Sequence, residues 1–118
     1  MVEKYKFNKE FWRHLDQLVS ESEIIIDRPK YSRHAKYPDY IYPVNYGFLK
    51  NTTSSDGAEI DIWVGEKGSN HVEGIMCIVD MDKRDSEIKI LYSCTEKEMD
   101  EIYDIQNQDG MSGLLIKR

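Results

Sequence analysis

The chain has 118 residues, a hydrophobic fraction of 40 % and a formal net charge of −6, which suits one folded domain over residues 1–118 and is too apolar for a disordered chain. The acidic balance repels nucleic-acid backbones at long range, so no nucleic-acid partner is expected. Two cysteines, Cys77 and Cys94, form neither a disulfide framework nor a metal-ligand spacing. An apolar signal and a run of membrane length are both missing, so a cytoplasmic protein with no membrane partner is expected.

Residues 8–20 are predicted as an amphipathic helix capped by Asn8, with Phe11, Leu15 and Leu18 on one face and Phe7 spaced from Trp12 as a hydrophobic staple. Its expected part is to cover one side of a sheet. Ser22 to Asp27 reads as a short β-branched strand. Residues 28–44 hold all three prolines, several tyrosines and a basic cluster, and are expected to loop. Asn45 to Leu49 resumes as a strand, Thr52 to Gly57 turns, and Glu59 to Val64 alternates. The alternation puts Ile60, Ile62 and Val64 on one face and Glu59, Asp61 and Trp63 on the other.

His71 to Met81 is the next strand, with Cys77 expected as a small buried hydrophobe. Lys83 to Asp85 form a charged turn before Ser86 to Tyr92, which alternates again. Thr95 with Glu98 forms a capping box that opens a second helix over about 95–106, with Met99, Ile102 and Tyr103 as its stripe. Gly110 to Lys117 ends the chain as a strand. The expected fold is mainly β (α+β): a small β-barrel over about 22–93 plus the C-terminal strand, flanked by helices.

Three groups carry chemistry. Asp56 lies in a turn and Asp61 in the strand after it; Mg²⁺ takes oxygen ligands, usually one or two carboxylates with waters. Asp80 and Asp82 flank the next turn, with Asp85, Glu87 and Lys89 beyond, and a hairpin there brings Asp82 and Glu87 toward Asp61. Arg28, Lys30, Arg33, His34 and Lys36 are concentrated within an acidic chain, and such groups bind phosphate oxygens. Solvated turns and ordinary surface charge give the same spacings.

The stretch YPVNYGFLKNTTSSDGAEIDIWV resembles the family I inorganic pyrophosphatases, whose corresponding stretch runs approximately YPxNYGF/Y, a threonine-containing turn, D-G-D-P-x-D and an apolar strand. IIIDRPKYSRHAKY and MDKRDSEIK resemble two further segments of that family, in the same order. The resemblance spans roughly residues 22–93. It implies a five-stranded, OB-like barrel and Mg²⁺-dependent hydrolysis of inorganic diphosphate to two phosphates by metal-activated water, with Mn²⁺ as an alternative ion. Asp56, Asp61, Asp82 and Glu87 then fall on metal-binding positions, Asp27 on an active-site carboxylate, Lys36 and Lys89 on phosphate-binding lysines, and Tyr46 on a phosphate-contacting tyrosine. Homo-oligomers are also implied.

The sequence departs from the family pattern. Ala58 stands at the middle aspartate of the motif and Pro38 at a glutamate; a hairpin with a phosphate-binding arginine is missing, and the later Tyr-Lys pair has no counterpart before Arg118. Glu59, beside Ala58, is expected to enter the metal site as a second catalytic carboxylate with Asp61, and Arg33 or His34 to stand in for the arginine. The departures leave two other readings: a module that binds a metal and a phosphate without turnover, and a hydrolase of a larger diphosphate compound.

Overall fold

The computed structural model describes residue 4 and residues 7–118; residues 1–3, 5 and 6 of the expected domain lie outside the described residues. Its elements are α1 (Lys9–Ser20), β1 (Ile24–Arg28), β2 (Asn45–Leu49), β3 (Ile60–Val64), β4 (Val72–Asp80), β5 (Asp85–Tyr92), α2 (Glu96–Ile105) and β6 (Met111–Lys117). Six strands form one sheet in the order β1-β2-β3-β5-β4-β6. β3 and β5 run parallel, and the other neighbours are antiparallel.

The mainly β, α+β class stands, but the barrel needs correcting. A closed barrel requires its two end strands to pair. Among the described residues β1 and β6 are the sheet's two ends, so the sheet is open. It has six strands because β6 pairs with β4 from Gly74↔Lys117 to Asp80↔Met111.

Both faces of the sheet are packed. On one, α1 lays Trp12, Leu15, Leu18 and Val19 over Leu49, Ile62, Val72 and Ile90. Asn8 caps this helix by accepting from the Phe11 N–H at 3.1 Å. Two details differ from the expected stripe. Phe11 is 37 % exposed and meets Trp12 edge-on, and Phe7 is 68 % exposed, so no packed staple forms. Trp12 and Val19, one position on, carry the contact instead.

On the other face lie Val44, Trp63, Met76, Ile78, Leu91 and Cys94, covered by Met99 and Ile102 of α2 and by Tyr42 of the long 29–44 segment. The predicted Thr95–Glu98 capping box is present, whereas Tyr103 stays 42 % exposed. Cys77 is only half-buried, because it faces the apolar side beyond the reach of α1; both cysteines are free.

Candidate active site

Strand alternation selects the site's residues. Asp61 precedes Trp63 by two, and Glu87 and Lys89 precede Leu91 by four and two, so all three share the face that carries the second core. Tyr46 is paired with Trp63, and Phe48 with Asp61, across β2·β3. The parallel β3·β5 pairing matches Ile62 with Ile90 and Trp63 with Leu91. It therefore sets Asp61 beside Lys89. α2 and the 29–44 segment cover the Trp63–Leu91 end of this face and leave the Asp61–Glu87 end open as a cavity of about 600 Å³.

Lys89 is the centre of the open end. Its ammonium stands 3.1 Å from Glu87 Oε1 and 3.4 Å from Asp61 Oδ2. It donates to the Tyr46 hydroxyl at 2.6 Å and lies 4.9 Å from that ring's centroid. Burial, with the Asp61 charge beside it, pushes the Tyr46 phenol well above its ordinary range, so the hydroxyl keeps a proton to donate.

A second cluster adjoins it. Carboxylate oxygens of Asp56, Asp85 and Glu87 lie within 4.8 Å of one another. Asp56 is positioned by its own turn: Oδ1 accepts from the Ser54 hydroxyl at 2.6 Å and from the Ala58 N–H at 2.9 Å. Those two bonds hold its carboxyl below the usual range. An all-oxygen donor set of this kind fits a hard divalent cation such as Mg²⁺. Asp82 reaches the cavity from the β4–β5 turn, packed so tightly on Gly110 that a Cβ there would come within 2.8 Å of Asp82 Oδ1.

Of the residues singled out in the sequence, Asp27, Tyr46, Asp56, Asp61, Asp82, Glu87 and Lys89 line this one cavity. Glu59, Arg33 and Lys36 are exposed and lie outside the lining. Glu59 precedes β3, in the turn that closes when the Ser54 N–H donates to the Ala58 carbonyl, so strand alternation does not govern its direction. Arg33 donates to the Pro38 carbonyl at 2.9 Å. Its neighbour His34 lines the cavity instead, as do Arg28 and Lys83. Asp85, named with the acidic turn group but given no role there, is brought beside Asp56 and Glu87, and Asp80 of the same group lines the cavity.

Burial raises the Glu87 carboxyl above its ordinary 4.5, against the opposing pull of Lys89. The folded state then holds this proton more tightly than the unfolded state. Its contribution to stability is complete at pH below the ordinary value and is lost as pH rises through the raised one. Thermal unfolding in EDTA should show a fall in Tm over that window that is shallower in Glu87→Gln. Equal slopes in the two proteins would remove this account of Glu87.

Among the described residues no helix is long and apolar enough to cross a membrane. The fold is similar to three solved structures. An inorganic pyrophosphatase from Helicobacter pylori matches with TM-score 0.54 and 15 % identity, covering 80 % of this chain and 81 % of that one. One from Coxiella burnetii matches with TM-score 0.56 and 16 % identity, covering 80 % and 82 %. An inorganic phosphatase from Anaplasma phagocytophilum gives TM-score 0.52 and 17 % identity over 78 % and 80 %. Comparison with curated proteins returns no match. A family model described as inorganic pyrophosphatase matches residues 2–118, and the chain belongs to that family.

Proposed function

We propose that the protein hydrolyses inorganic pyrophosphate with Mg²⁺, P₂O₇⁴⁻ + H₂O → 2 HPO₄²⁻. The observation that carries this reading is the meeting of a half-buried ammonium, Lys89, with the carboxylates of Asp61 and Glu87 in an open cavity, within a chain of the pyrophosphatase family. Asp56, Asp85 and Glu87 would hold the ion, with Asp82 and Asp27 facing the same space; Mn²⁺ suits the same oxygens. When bound, the ion supplies charge neutralisation for the phosphates and a lowered pKa for water.

The remaining work falls to side chains. Lys89, Arg28 and Lys83 bind phosphate oxygens, and Tyr46 donates its hydroxyl proton to one of them. Asp61 orients the attacking water and accepts its proton, with the Lys89 ammonium 3.4 Å from its Oδ2. Asp85 supplies the carboxylate that Ala58 withholds; its place in the Asp56–Glu87 cluster supports this over Glu59.

Phosphate release from pyrophosphate should require Mg²⁺, stop with EDTA, and fall about 10²–10³-fold in Asp61→Asn. Release that persists in EDTA would overturn the reading. Tight pyrophosphate binding with no release, in the folded metal-loaded protein, would make the chain a binding module.

A further inference from the structure

On the hydrolytic reading above, pyrophosphate and its cations would fill only the carboxylate end of the cavity. The whole cavity, about 600 Å³, lies in the range of sites that enclose organic ligands many times larger than pyrophosphate, about 300–1,000 Å³. The other end is built differently. From the Lys89-bonded Tyr46, ring contacts run to Tyr42 at 5.4 Å, on to Tyr40 at 5.1 Å and to His34 at 5.4 Å. Tyr37 closes the run 5.1 Å from His34 and is 55 % exposed, so a ring face remains open to a ligand.

A second observation at the same end is independent of the rings. Gln106 lines the cavity and is only 1 % exposed. Its Nε2 donates to the Tyr40 hydroxyl at 3.0 Å, but its Oε1 has no hydrogen-bond partner among the described residues. A buried amide oxygen without a donor is costly. A ligand bearing an N–H or O–H beside a flat ring would supply that donor.

We infer that the site takes nucleoside diphosphates as well as pyrophosphate, with the diphosphate on Lys89 and the base on the Tyr37–His34–Tyr40 wall within reach of the Gln106 amide. This rests on the hydrolytic reading above and names a further substrate class for the same site. The step is R–O–P₂O₆³⁻ + H₂O → R–O–PO₃²⁻ + HPO₄²⁻ + H⁺. Water oxygen bonds to the terminal phosphorus, the bridging P–O bond breaks, the bridging oxygen stays on the nucleoside monophosphate, and the proton goes to solvent.

The test compares phosphate release from pyrophosphate, ADP and methyl diphosphate, each with Mg²⁺. Stacking one base on one aromatic side chain is worth about tenfold or more, so kcat/KM for ADP should exceed that for methyl diphosphate by about that factor. Tyr37→Ala and Gln106→Leu should erase most of the difference and leave pyrophosphate hydrolysis within about twofold of the parent protein. If Gln106→Leu does not fold, the exposed Tyr37 position decides alone. Pyrophosphate hydrolysis with ADP no better than methyl diphosphate, or an ADP preference untouched by Tyr37→Ala, overturns this inference alone. Release from none of the three overturns the hydrolytic reading and this inference with it.

Discussion

Replacing Lys89 with methionine is expected to lower kcat/KM for pyrophosphate about 10²–10³-fold and to destabilise the metal-free protein by roughly 1–3 kcal/mol. Both effects follow from one position. The Lys89 side chain is 13 % exposed, and its ammonium serves Glu87 at 3.1 Å, Asp61 at 3.4 Å and the Tyr46 hydroxyl at 2.6 Å. Methionine keeps the stem and deletes the charge. Asp61 and Glu87 then repel each other without a counter-ion, at side-chain exposures of only 29 % and 14 %. Solvent still reaches both, which is why the expected loss stays below that of a fully buried pair. Mg²⁺ can replace the missing charge, so adding it should raise Tm more in Lys89→Met than in the parent protein. Turnover close to the parent's would exclude Lys89 from phosphate binding. Lost turnover with unchanged stability in EDTA would exclude its counter-ion part.

The elements that bear the site were legible because each obeys a local rule. Alternation in EIDIWV and in Ser86 to Tyr92 marks β3 and β5 and sorts their faces, and the Thr95–Glu98 box marks the start of α2. The convergence of Asp61 and Lys89 is different in kind. It depends on β3 and β5 being parallel neighbours with β4 on the far side, and no local period in the chain states that.

The 29–44 segment was the least legible part. It has no regular period, and its course is set by hydrogen bonds such as the Tyr31 N–H to the Tyr42 carbonyl and the His34 N–H to the Tyr40 carbonyl. With Arg33 bridged to Ile41, the chain presents His34 rather than Arg33 or Lys36 to the cavity. The openness of the sheet was not legible for a related reason. Strand number and order suggest a barrel, as the resemblance does, whereas closure depends on whether β1 and β6 meet, which is a property of the whole sheet.

Gly47→Ala is expected to destabilise the protein by about 3 kcal/mol or more, a drop in Tm of roughly 10–20 °C for a chain of this size. The glycine of the YPVNYGF stretch pairs with Ile26, one residue before the irregularity between Ile26 and Arg28. A Cβ at Gly47 would fall 1.8 Å from the Ile25 carbonyl oxygen, 2.7 Å from its carbon and 2.9 Å from Ile26 Cα. All three are backbone atoms, so no rotamer change relieves the clash and β1 itself must move. Among the described residues β1 has only β2 as a strand partner, which leaves nothing else to hold it in register. Displacing β1 would also shift Asp27 and Arg28, which reach the cavity from its end. Activity should therefore fall even at temperatures where Gly47→Ala remains folded. Gly57→Ala is the control. That glycine has φ +86° and nothing within 4 Å of its Cβ position, so only left-handed backbone strain applies, at about 1 kcal/mol. Equal losses in the two variants would mean that the β1·β2 approach is not what demands glycine at position 47. A loss confined to Gly47→Ala would tie the geometry of the first hairpin directly to the site it carries.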